Sequence, residues 1–581
     1  MRPVTQSVVP FLKISLGVLL GAPMLYGCAT VTPQPTGQEA PPAVTVAAPV
    51  LPNLELNAEI LNELLVAEVA LQRAEYGAAV QLFSRLAQQT RDPRIAERAT
   101  RVAVFARDYQ SGLETARLWM ELAPADVEGR QILTALQVKA GDYDDALESL
   151  ETVLTQAGND EDERYLLMIR LLGRDQDRDG ALEVVQRFMK RHPDDGAGLY
   201  TYSQLALRAG KLDEAEKSVD HLLKIRPGLT QAVILRTRIL QASNREAAAL
   251  EYLGQEVNRN SKDMELRVAY GRMLVDVDRP EEAQAQFKKV LKEQPDNDDI
   301  TFAAALVALR LEQPKEAEEY LLRLNHKSVR VDETSYYLGR IEEVRENYKD
   351  AIRWYNKVER GENYLNAQIR SALLQARLGD IDAARAHLGA VQARTPDQSQ
   401  RLYLAEGEIL RDVEHYDEAL KVYDRALREL PGNPELLYAR AMVAEKLGRI
   451  DVLERDLLAI LEREPDHADA LNSLGYTLAD HTGRLQEAET YVKRAMELKP
   501  DTFYIIDSMG WVQYRKGNLP EAIKYLQRAM ELNSDPEIAA HLGEVQWASG
   551  DHAAARATWK HALEQAPENK MLLDTIKRLD K

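Results

Sequence analysis

The chain has 581 residues, and its 93 acidic side chains outnumber its 74 basic ones to give a net charge of −19. This charge disfavours nucleic acid and anionic lipid surfaces as partners and favours basic or neutral ones, although a charged exterior also serves simply to keep a helical protein soluble. The single cysteine excludes disulfides within the chain and cysteine-based metal sites.

The first 27 residues have the parts of a secretory signal. Arg2 and Lys13 are the only charges before Cys28, and an apolar run covers residues 14–25. This run is too short to span a membrane durably, and a small glycine stands directly before the cysteine. Residues 1–27 are therefore predicted to be a signal peptide.

The cysteine stands in a recognisable motif, LYGC. Leu25, Gly27 and Cys28 resemble the lipobox of bacterial lipoproteins, while Tyr26 differs from the small residue usual at its position. The resemblance implies that Cys28 carries lipid, palmitate included, and becomes the mature N-terminus. Ala29 follows instead of the aspartate that usually signals retention in the inner membrane. We expect an outer-membrane lipoprotein facing the periplasm; a buried, inert cysteine and an uncleaved membrane anchor are the alternatives.

A proline-rich segment follows the cysteine. Residues 29–53 contain six prolines and almost no charge, so they cannot close a hydrophobic core. In a polyproline-like conformation, at about 3.1 Å per residue, they would reach at most about 75 Å. Residues 28–53 are predicted to be a lipid-anchored tether.

From Leu54 onward the sequence repeats with a period of 33 to 35 residues. Fifteen units begin near Ile60, Pro93, Val127, Asp162, Gly196, Thr230, Met264, Asp298, Asp332, Leu365, Gln400, Pro434, Ala468, Phe503 and Pro536. The twentieth position of fourteen of these units is Ala or Gly, and Leu453 is the exception. A small side chain there lets two antiparallel helices cross closely, and larger residues at position 24 fill the space beside it. Prolines recur where the second helix must end: Pro124, Pro193, Pro227, Pro295, Pro396, Pro431, Pro465, Pro500 and Pro567.

This pattern resembles the tetratricopeptide repeat, a helix-turn-helix of 34 residues. The resemblance is carried by the small residues, the prolines, the turn GDYDDA at residues 141–146 and the Leu-Gly pairs at 338–339, 474–475 and 542–543. It implies an all-α, right-handed superhelical solenoid of about fifteen helix pairs over residues 54–569, with a capping helix over 570–581. Units two, four and six are degenerate, so the regularity of their helix pairs is left open.

No catalytic motif accompanies the repeats. The sequence lacks His-Glu-x-x-His, Gly-x-Ser-x-Gly and a glycine-rich phosphate loop. Its ten histidines are scattered, and the nearest pair, His552 and His561, is nine residues apart. We predict that the protein is not an enzyme and has no cofactor.

One segment imitates a calcium loop. Asp175, Asp177 and Asp179 stand at EF-hand spacing, but Gln186 replaces the bidentate carboxylate that the twelfth position requires. Asp179 also satisfies the repeat register at the start of a second helix. Because the register already accounts for these residues, we predict no metal site here.

Two surfaces are candidates for partner binding. In tetratricopeptide domains the first helix of each unit lines a concave groove, with positions 2, 5, 9 and 12 facing in. In the last three units these positions include Tyr476, Tyr504, Trp511, Tyr514 and Trp547, and Arg515 lies beside them. Aromatic side chains with a polar atom suit peptide-binding surfaces, while packing between neighbouring helices is the competing interpretation. At the other end, Leu54, Leu56, Ile60, Leu61 and Leu64 exceed the apolar positions that one repeat face requires. This segment either caps the solenoid or docks in a partner's groove.

Three functions are compatible with these features. The layout of lipobox, tether and repeats is similar to adaptor lipoproteins that bring a periplasmic carboxyl-terminal processing protease to its substrates, which are cell-wall hydrolases. The alternatives are an assembly factor for a pilus, secretin or β-barrel machine, and a regulator of peptidoglycan synthesis. Regulators of the last kind can join repeats to an α/β domain, and no alternating strand and helix pattern is visible here.

Overall fold

The computed structural model describes residues 51–52, 57–156, 158, 160–172 and 178–580. The predictions on Cys28, the tether before residue 51, Leu54, Leu56, Asp175 and Asp177 lie outside the described residues.

The described residues form thirty-one α-helices and no β-strand, which confirms the all-α fold. The chain divides into two compact units, residues 1–320 and 321–581. The N-terminal unit contains α1 Ala58–Gln72, α2 Tyr76–Thr90, α3 Pro93–Phe105, α4 Tyr109–Leu122, α5 Val127–Ala140, α6 Tyr143–Gln156, α7 Glu161–Leu172, α8 Arg178–Arg191, α9 Gly196–Arg208, α10 Leu212–Ile225, α11 Thr230–Ala242, α12 Glu246–Arg259, α13 Met264–Asp276, α14 Pro280–Glu293 and α15 Asp298–Arg310. The division falls within α16 Pro314–His326.

The C-terminal unit continues the same alternation of helices. It contains α17 Val331–Val344, α18 Tyr348–Tyr355, α19 Tyr364–Arg377, α20 Ile381–Ala390, α21 Pro396–Asp412, α22 Tyr416–Glu429, α23 Pro434–Lys446, α24 Ile450–Arg463, α25 Ala468–His481, α26 Leu485–Leu498, α27 Phe503–Arg515, α28 Leu519–Leu532, α29 Pro536–Ala548, α30 His552–Gln565 and α31 Lys570–Leu579. The first thirty helices therefore form fifteen consecutive pairs, as the repeat register predicted.

Local sequence determines where the helices begin and end. Asp126, Asp263 and Asn433 precede α5, α13 and α23, and each side chain accepts a hydrogen bond from the backbone N–H three residues later. Eight of the nine predicted terminal prolines stand two residues beyond the end of a second helix. The chain cannot continue as a helix through them, so each pair is separated from the next.

The predicted crossing position is buried in every pair. Ala79, Ala283, Ala419 and Leu453 are all fully inaccessible to solvent. The first helix also makes room for the large residue at position 24: a Cβ added at Gly407 of α21 would lie 2.2 Å from the Tyr423 ring of α22. The two helices of a pair thus approach closely because one side chain is absent where another is large.

The irregular pairs are not the ones that the sequence singled out. Pairs two and six are regular, with second helices of 14 residues in α4 and α12. The second helix of pair four, α8, has the same length, but the turn that precedes it lies outside the described residues. In pairs nine and ten, by contrast, α18 has 8 residues and α20 has 10. The chain leaves α18 through a loop that contains Gly361 at a positive φ of 86°. Asp332 holds this loop by accepting hydrogen bonds from the N–H groups of Glu359 and Arg360, at 2.7 and 3.1 Å.

The remaining predicted terminal proline, Pro396, begins a helix instead of following the end of one. α20 ends at Ala390, and Pro396 is the first residue of α21 rather than the end of α20. Thr395 caps this helix by accepting from the N–H of Gln398 at 3.3 Å. α21 therefore begins four residues before the predicted Gln400, because a proline preceded by threonine favours a helix start.

None of the described helices is long and apolar enough to cross a membrane.

Candidate interaction surfaces

The first helix exposes an apolar face. Ile60 lies on the face of α1 that packs into the core, together with Ala67 and Ala70. The opposite face carries Leu61, Leu65 and Val69, which are 42%, 57% and 44% exposed and follow one another at intervals of four residues. That spacing places them in one row along the helix. We call Leu61, Leu65 and Val69, with the neighbouring Val66, the α1 stripe.

A second exposed apolar feature involves α2 of the first helix pair and α3 of the second. Phe105, at the end of α3, is 67% exposed, and its ring meets the edge of the Tyr76 ring with centroids 5.2 Å apart. Eight of the eighteen exposed large apolar side chains in the described residues fall between residues 51 and 105. Exposed apolar side chains concentrated in one part of a structure are typical of sites of protein association.

The N-terminal candidates that the structure describes differ in their exposure to solvent. Leu61 is exposed, Leu64 is half-buried, and Ile60 is buried at 9% exposure. The sequence interpretation missed Val66, Val69 and Phe105. The signal for the first two was present in the sequence, because α1 is apolar on more than one face.

Acidic side chains border the α1 stripe. Glu63 pairs with Arg85 at 3.3 Å, and Glu68 pairs with Arg98 at 2.8 Å, so α2 and α3 neutralise two of them. Glu59 in the first turn of α1 is exposed. A partner surface that complements the α1 stripe would be an apolar groove with a basic rim.

At the other end, the aromatic candidates form a packed cluster on α25, α27 and α29. The Trp511 indole is buried at 7% exposure and donates from Nε1 to Asp480 at 3.0 Å. Its ring stacks on His541, with centroids 4.4 Å apart, and lies 5.1 Å from the Tyr514 ring. The structure thus brings Trp511 and Tyr514 together and turns the indole inward.

A buried histidine, absent from the sequence candidates, is central to this cluster. Nδ1 of His541 donates to both carboxylate oxygens of Asp507, at 2.9 and 3.0 Å. Burial acts to lower the pKa of His541, but the charge of Asp507 and its hydrogen bonds outweigh burial, so the pKa is raised. His541 falls outside groove positions 2, 5, 9 and 12, so the rule used on the sequence passed over it.

Charged side chains complete the cluster at its edges. Arg515 is exposed and donates to the backbone oxygen of Asp480 at 2.6 Å. Arg578 of α31 donates to both oxygens of the buried Glu544, at 3.1 and 2.5 Å. Tyr514 donates to Glu544 at 3.4 Å, and burial followed by the Glu544 charge raises the pKa of Tyr514.

The remaining candidates differ in accessibility. Tyr476 is half-buried, and its ring lies 6.1 Å from that of His541. Trp547 is half-buried and stacks on Trp559 at 5.7 Å. Tyr504 is the accessible one, since 39% of it is exposed. Its hydroxyl donates to Asp469 at 2.7 Å, and burial together with this bond raises its pKa to about 12.

The calcium-loop imitation is described only in part. Asp179 is exposed in the first turn of α8, which is the placement that the repeat register predicted. Within the described residues, no group of three or more His, Cys, Asp or Glu side chains could hold a metal ion.

Known proteins share the repeat. Family models described as tetratricopeptide repeat match residues 166–229, 274–330, 366–390, 400–443, 438–501 and 508–570. Two solved structures are similar at low identity: Cut9 in its hetero-tetramer with Hcn1, at 15% identity and a TM-score of 0.33, and yeast Tom70, at 14% and 0.32. They cover 90% of this chain each, and 97% and 95% of their own chains.

Proteins with similar sequences match different shares of this chain. The protein O-mannosyl-transferase Tmtc2 of Drosophila melanogaster is 42% identical over 88 residues, which are 14% of this chain and 9% of that protein. The TPR repeat-containing protein PA4667 of Pseudomonas aeruginosa is 35% identical over 536 residues, or 91% of this chain and 90% of that protein. Because this match runs through nine tenths of both proteins, the chain belongs to the tetratricopeptide-repeat family, whose helix pairs form a scaffold for protein–protein interaction.

Proposed function

We propose that the protein is a non-catalytic adaptor lipoprotein of the outer membrane that faces the periplasm. It binds a carboxyl-terminal processing protease and that protease's substrates, the cell-wall hydrolases, and so promotes their proteolysis. The partner protease supplies all the catalytic groups, and the scaffold raises the local concentration of the substrates beside it.

The observation that carries this proposal is the α1 stripe. It is an unpartnered apolar helix face, and it begins a few residues after the predicted tether. A helix of this kind binds by laying its apolar row into a groove of another protein, with residues at i, i+4 and i+8 as anchors. The protein-binding surface therefore lies where a lipid-anchored chain would first meet a partner near the membrane.

The length of the repeat array supports a second binding function in the same molecule. Fifteen helix pairs provide far more surface than one docked partner requires, so protease and substrate can be held at different pairs. The layout of lipobox, tether and repeats resembles the adaptor lipoprotein LbcA, which partners the protease CtpA and promotes degradation of cell-wall hydrolases. This resemblance supplies the chemical class of the partners.

The first test is a pull-down from detergent-solubilised envelope with the full lipidated chain as bait, followed by mass spectrometry and a cleavage assay. We expect a carboxyl-terminal processing protease and cell-wall hydrolases to co-purify, and purified protease to cleave the hydrolases faster when the chain is added. Recovery of secretin, pilus or β-barrel assembly components without a protease would overturn the adaptor and favour an assembly factor.

A variant set connects the function to the α1 stripe. The triple change Leu61→Ser, Leu65→Ser, Val69→Ser should abolish recovery of the protease and leave the helical content unchanged, because all three side chains are exposed. The matched control is Val344→Ser, Leu378→Ser, Leu532→Ser, which alters residues that are 55%, 46% and 47% exposed elsewhere. Equal protease recovery by both triple variants would show that the stripe is not the docking surface.

A further inference from the structure

The fifteenth helix pair and α31 are joined to their neighbours by buried charges. Asp507 on α27 holds His541 on α29, and Glu544 on α29 holds Arg578 on α31. His541, Asp507 and Glu544 are only 5%, 8% and 7% exposed. Removing one partner from a buried pair leaves the other charge uncompensated, which is far more costly than breaking a surface pair.

The same pair contains polar atoms that the fold leaves unsatisfied. Nε2 of His541 and Nε1 of Trp559 are buried and have no hydrogen-bond partner among the described residues. A buried polar group without a partner lowers the stability of the segment that contains it. Segments that open locally come from the less stable parts of a structure. This pair is therefore suited to open before its neighbours, and the buried charges keep it closed.

The charge of His541 is set by all the helices around it. Asp507 on α27 and Glu537 and Glu544 on α29 act on His541 directly, and the ring of Tyr476 on α25 lies beside it. Four further groups lie one contact away, bound to Trp511, Asp480 or Glu544: Asp480 on α25, Tyr514 and Arg515 on α27, and Arg578 on α31. The carboxylates outnumber the cations, so the cluster favours an imidazolium at its centre. A neutral imidazole would leave Asp507 as a buried carboxylate with a much weaker partner.

We propose that Asp507, His541, Glu544 and Arg578 form a pH-sensitive latch that releases the fifteenth pair and α31 when His541 loses its proton. Release removes the imidazole ring of His541 from the face of Trp511 and uncovers Tyr476 on α25 and Trp511 on α27. This inference does not depend on the adaptor function.

The direction of the pH effect follows from the raised pKa of His541. The stabilisation is complete below the pKa of an unfolded histidine, about 6.5, and is lost as the pH rises through the higher value in the folded chain. The latch is therefore closed in mildly acidic solution and open in alkaline solution.

Hydrogen exchange of the full chain at pH 6.0, 7.5 and 9.0, with exchange times scaled to the intrinsic rate at each pH, tests the latch. We expect peptides from α29, α30 and α31 to lose protection and exchange faster at pH 9.0 than at pH 6.0, because the stabilisation from the His541 proton is gone at the higher pH. Peptides from α13 and α14 should keep the same protection. Equal protection of α29–α31 at all three pH values would overturn the proposal.

Two variants separate the latch from simple destabilisation. His541→Gln should show fast exchange in α29–α31 at every pH, with no pH dependence; a retained pH dependence would exclude His541 as the sensor. Glu544→Gln should speed hydrogen exchange in α31 but keep its pH dependence. A Glu544→Gln variant without pH dependence would also contradict the assignment of His541 as the sensor. Asp580→Asn, which removes the exposed Arg556–Asp580 pair at 2.6 Å, is the matched control and should leave exchange unchanged.

Discussion

Gly543 and Trp559 share one space where α29 crosses α30. A Cβ added at Gly543 would lie 2.0 Å from the indole Nε1 atom of Trp559, well inside contact distance. Trp559 is buried at 2% exposure, so its ring has no free space to move into. The small residue and the large one therefore require each other.

Gly543→Ala is expected to destabilise the C-terminal unit by about 1–3 kcal/mol, the usual cost of overpacking a core. The control is Gly389→Ala in α20, where an added Cβ would meet nothing within 4 Å. This change should stabilise by about 0.5–1 kcal/mol, because alanine favours a helix over glycine. Urea denaturation followed by circular dichroism measures both, and equal effects would contradict the role assigned to the crossing.

Trp511 and Tyr504 should respond differently to truncation. Trp511→Ala removes an indole that is only 7% exposed and is expected to cost about 3–5 kcal/mol. Tyr504→Ala removes an accessible ring and should change the denaturation midpoint little. Any peptide bound along α27 should be weakened by Tyr504→Ala without loss of structure. A stable, fully helical Trp511→Ala variant would contradict the packing described above.

Asp456 should be essential because its charge is buried. It is 1% exposed and accepts hydrogen bonds from Nε and Nη2 of Arg440, at 2.7 and 2.8 Å. Asp456→Ala removes the buried partner of Arg440, which keeps only Asp424 at 2.6 Å, and is expected to cost about 1–3 kcal/mol because Nε and Nη2 of Arg440 lose their acceptors. The double change Arg440→Met, Asp456→Leu should recover most of that loss, since both buried charges disappear together. A double variant as unstable as the single one would show that packing, not charge, makes the site sensitive.

The alkaline limit of stability should be set by buried tyrosines. Burial raises the pKa of Tyr252, Tyr337 and Tyr423 to about 12 in each case. Because the folded chain holds these protons more tightly than the unfolded one, stability should fall as the pH rises from about 10 through about 12. Absorbance at 295 nm should show tyrosines that ionise late in the native chain and near pH 10 in urea. Tyr423→Phe should remove one late-ionising tyrosine, and identical native and unfolded titrations would contradict this prediction.

The fold was predictable because its cause is local and repeated. The small residue at position 20 and the proline after the second helix both reflect packing within one unit and its neighbour, about forty residues of chain. Their spacing alone therefore located the fifteen pairs. Pairs nine and ten escaped this reasoning. In pair nine, α18 is followed by a loop that contains Gly361 and is held by Asp332, 27 residues before Glu359. In pair ten, α20 ends at Ala390 and Pro396 already begins α21. The repeat pattern contains neither of these features.

The candidate surfaces were only partly predictable. Position within a helix indicated that Trp511 faces the other first helices, but whether that face is open depends on side chains from α25, α29 and α31 together. His541 was passed over because its importance comes from Asp507, 34 residues earlier, rather than from its own position in the repeat. The α1 stripe was visible as excess apolar character, but which of Ile60 and Leu61 is buried depends on the side of α1 that the neighbouring helices cover.

The match between the two helices of a pair makes the repeats less interchangeable than their uniform backbone suggests. Phe287 stands against Gly271, Tyr423 against Gly407, and Trp559 against Gly543. Val492 and Leu526 stand in the corresponding places against Gly475 and Gly510. In each of these pairs, the glycine of the first helix therefore fits the particular side chain that its own second helix carries. Exchanging second helices between pairs should therefore produce hybrids whose helices do not fit, even though each helix is sound in its own pair.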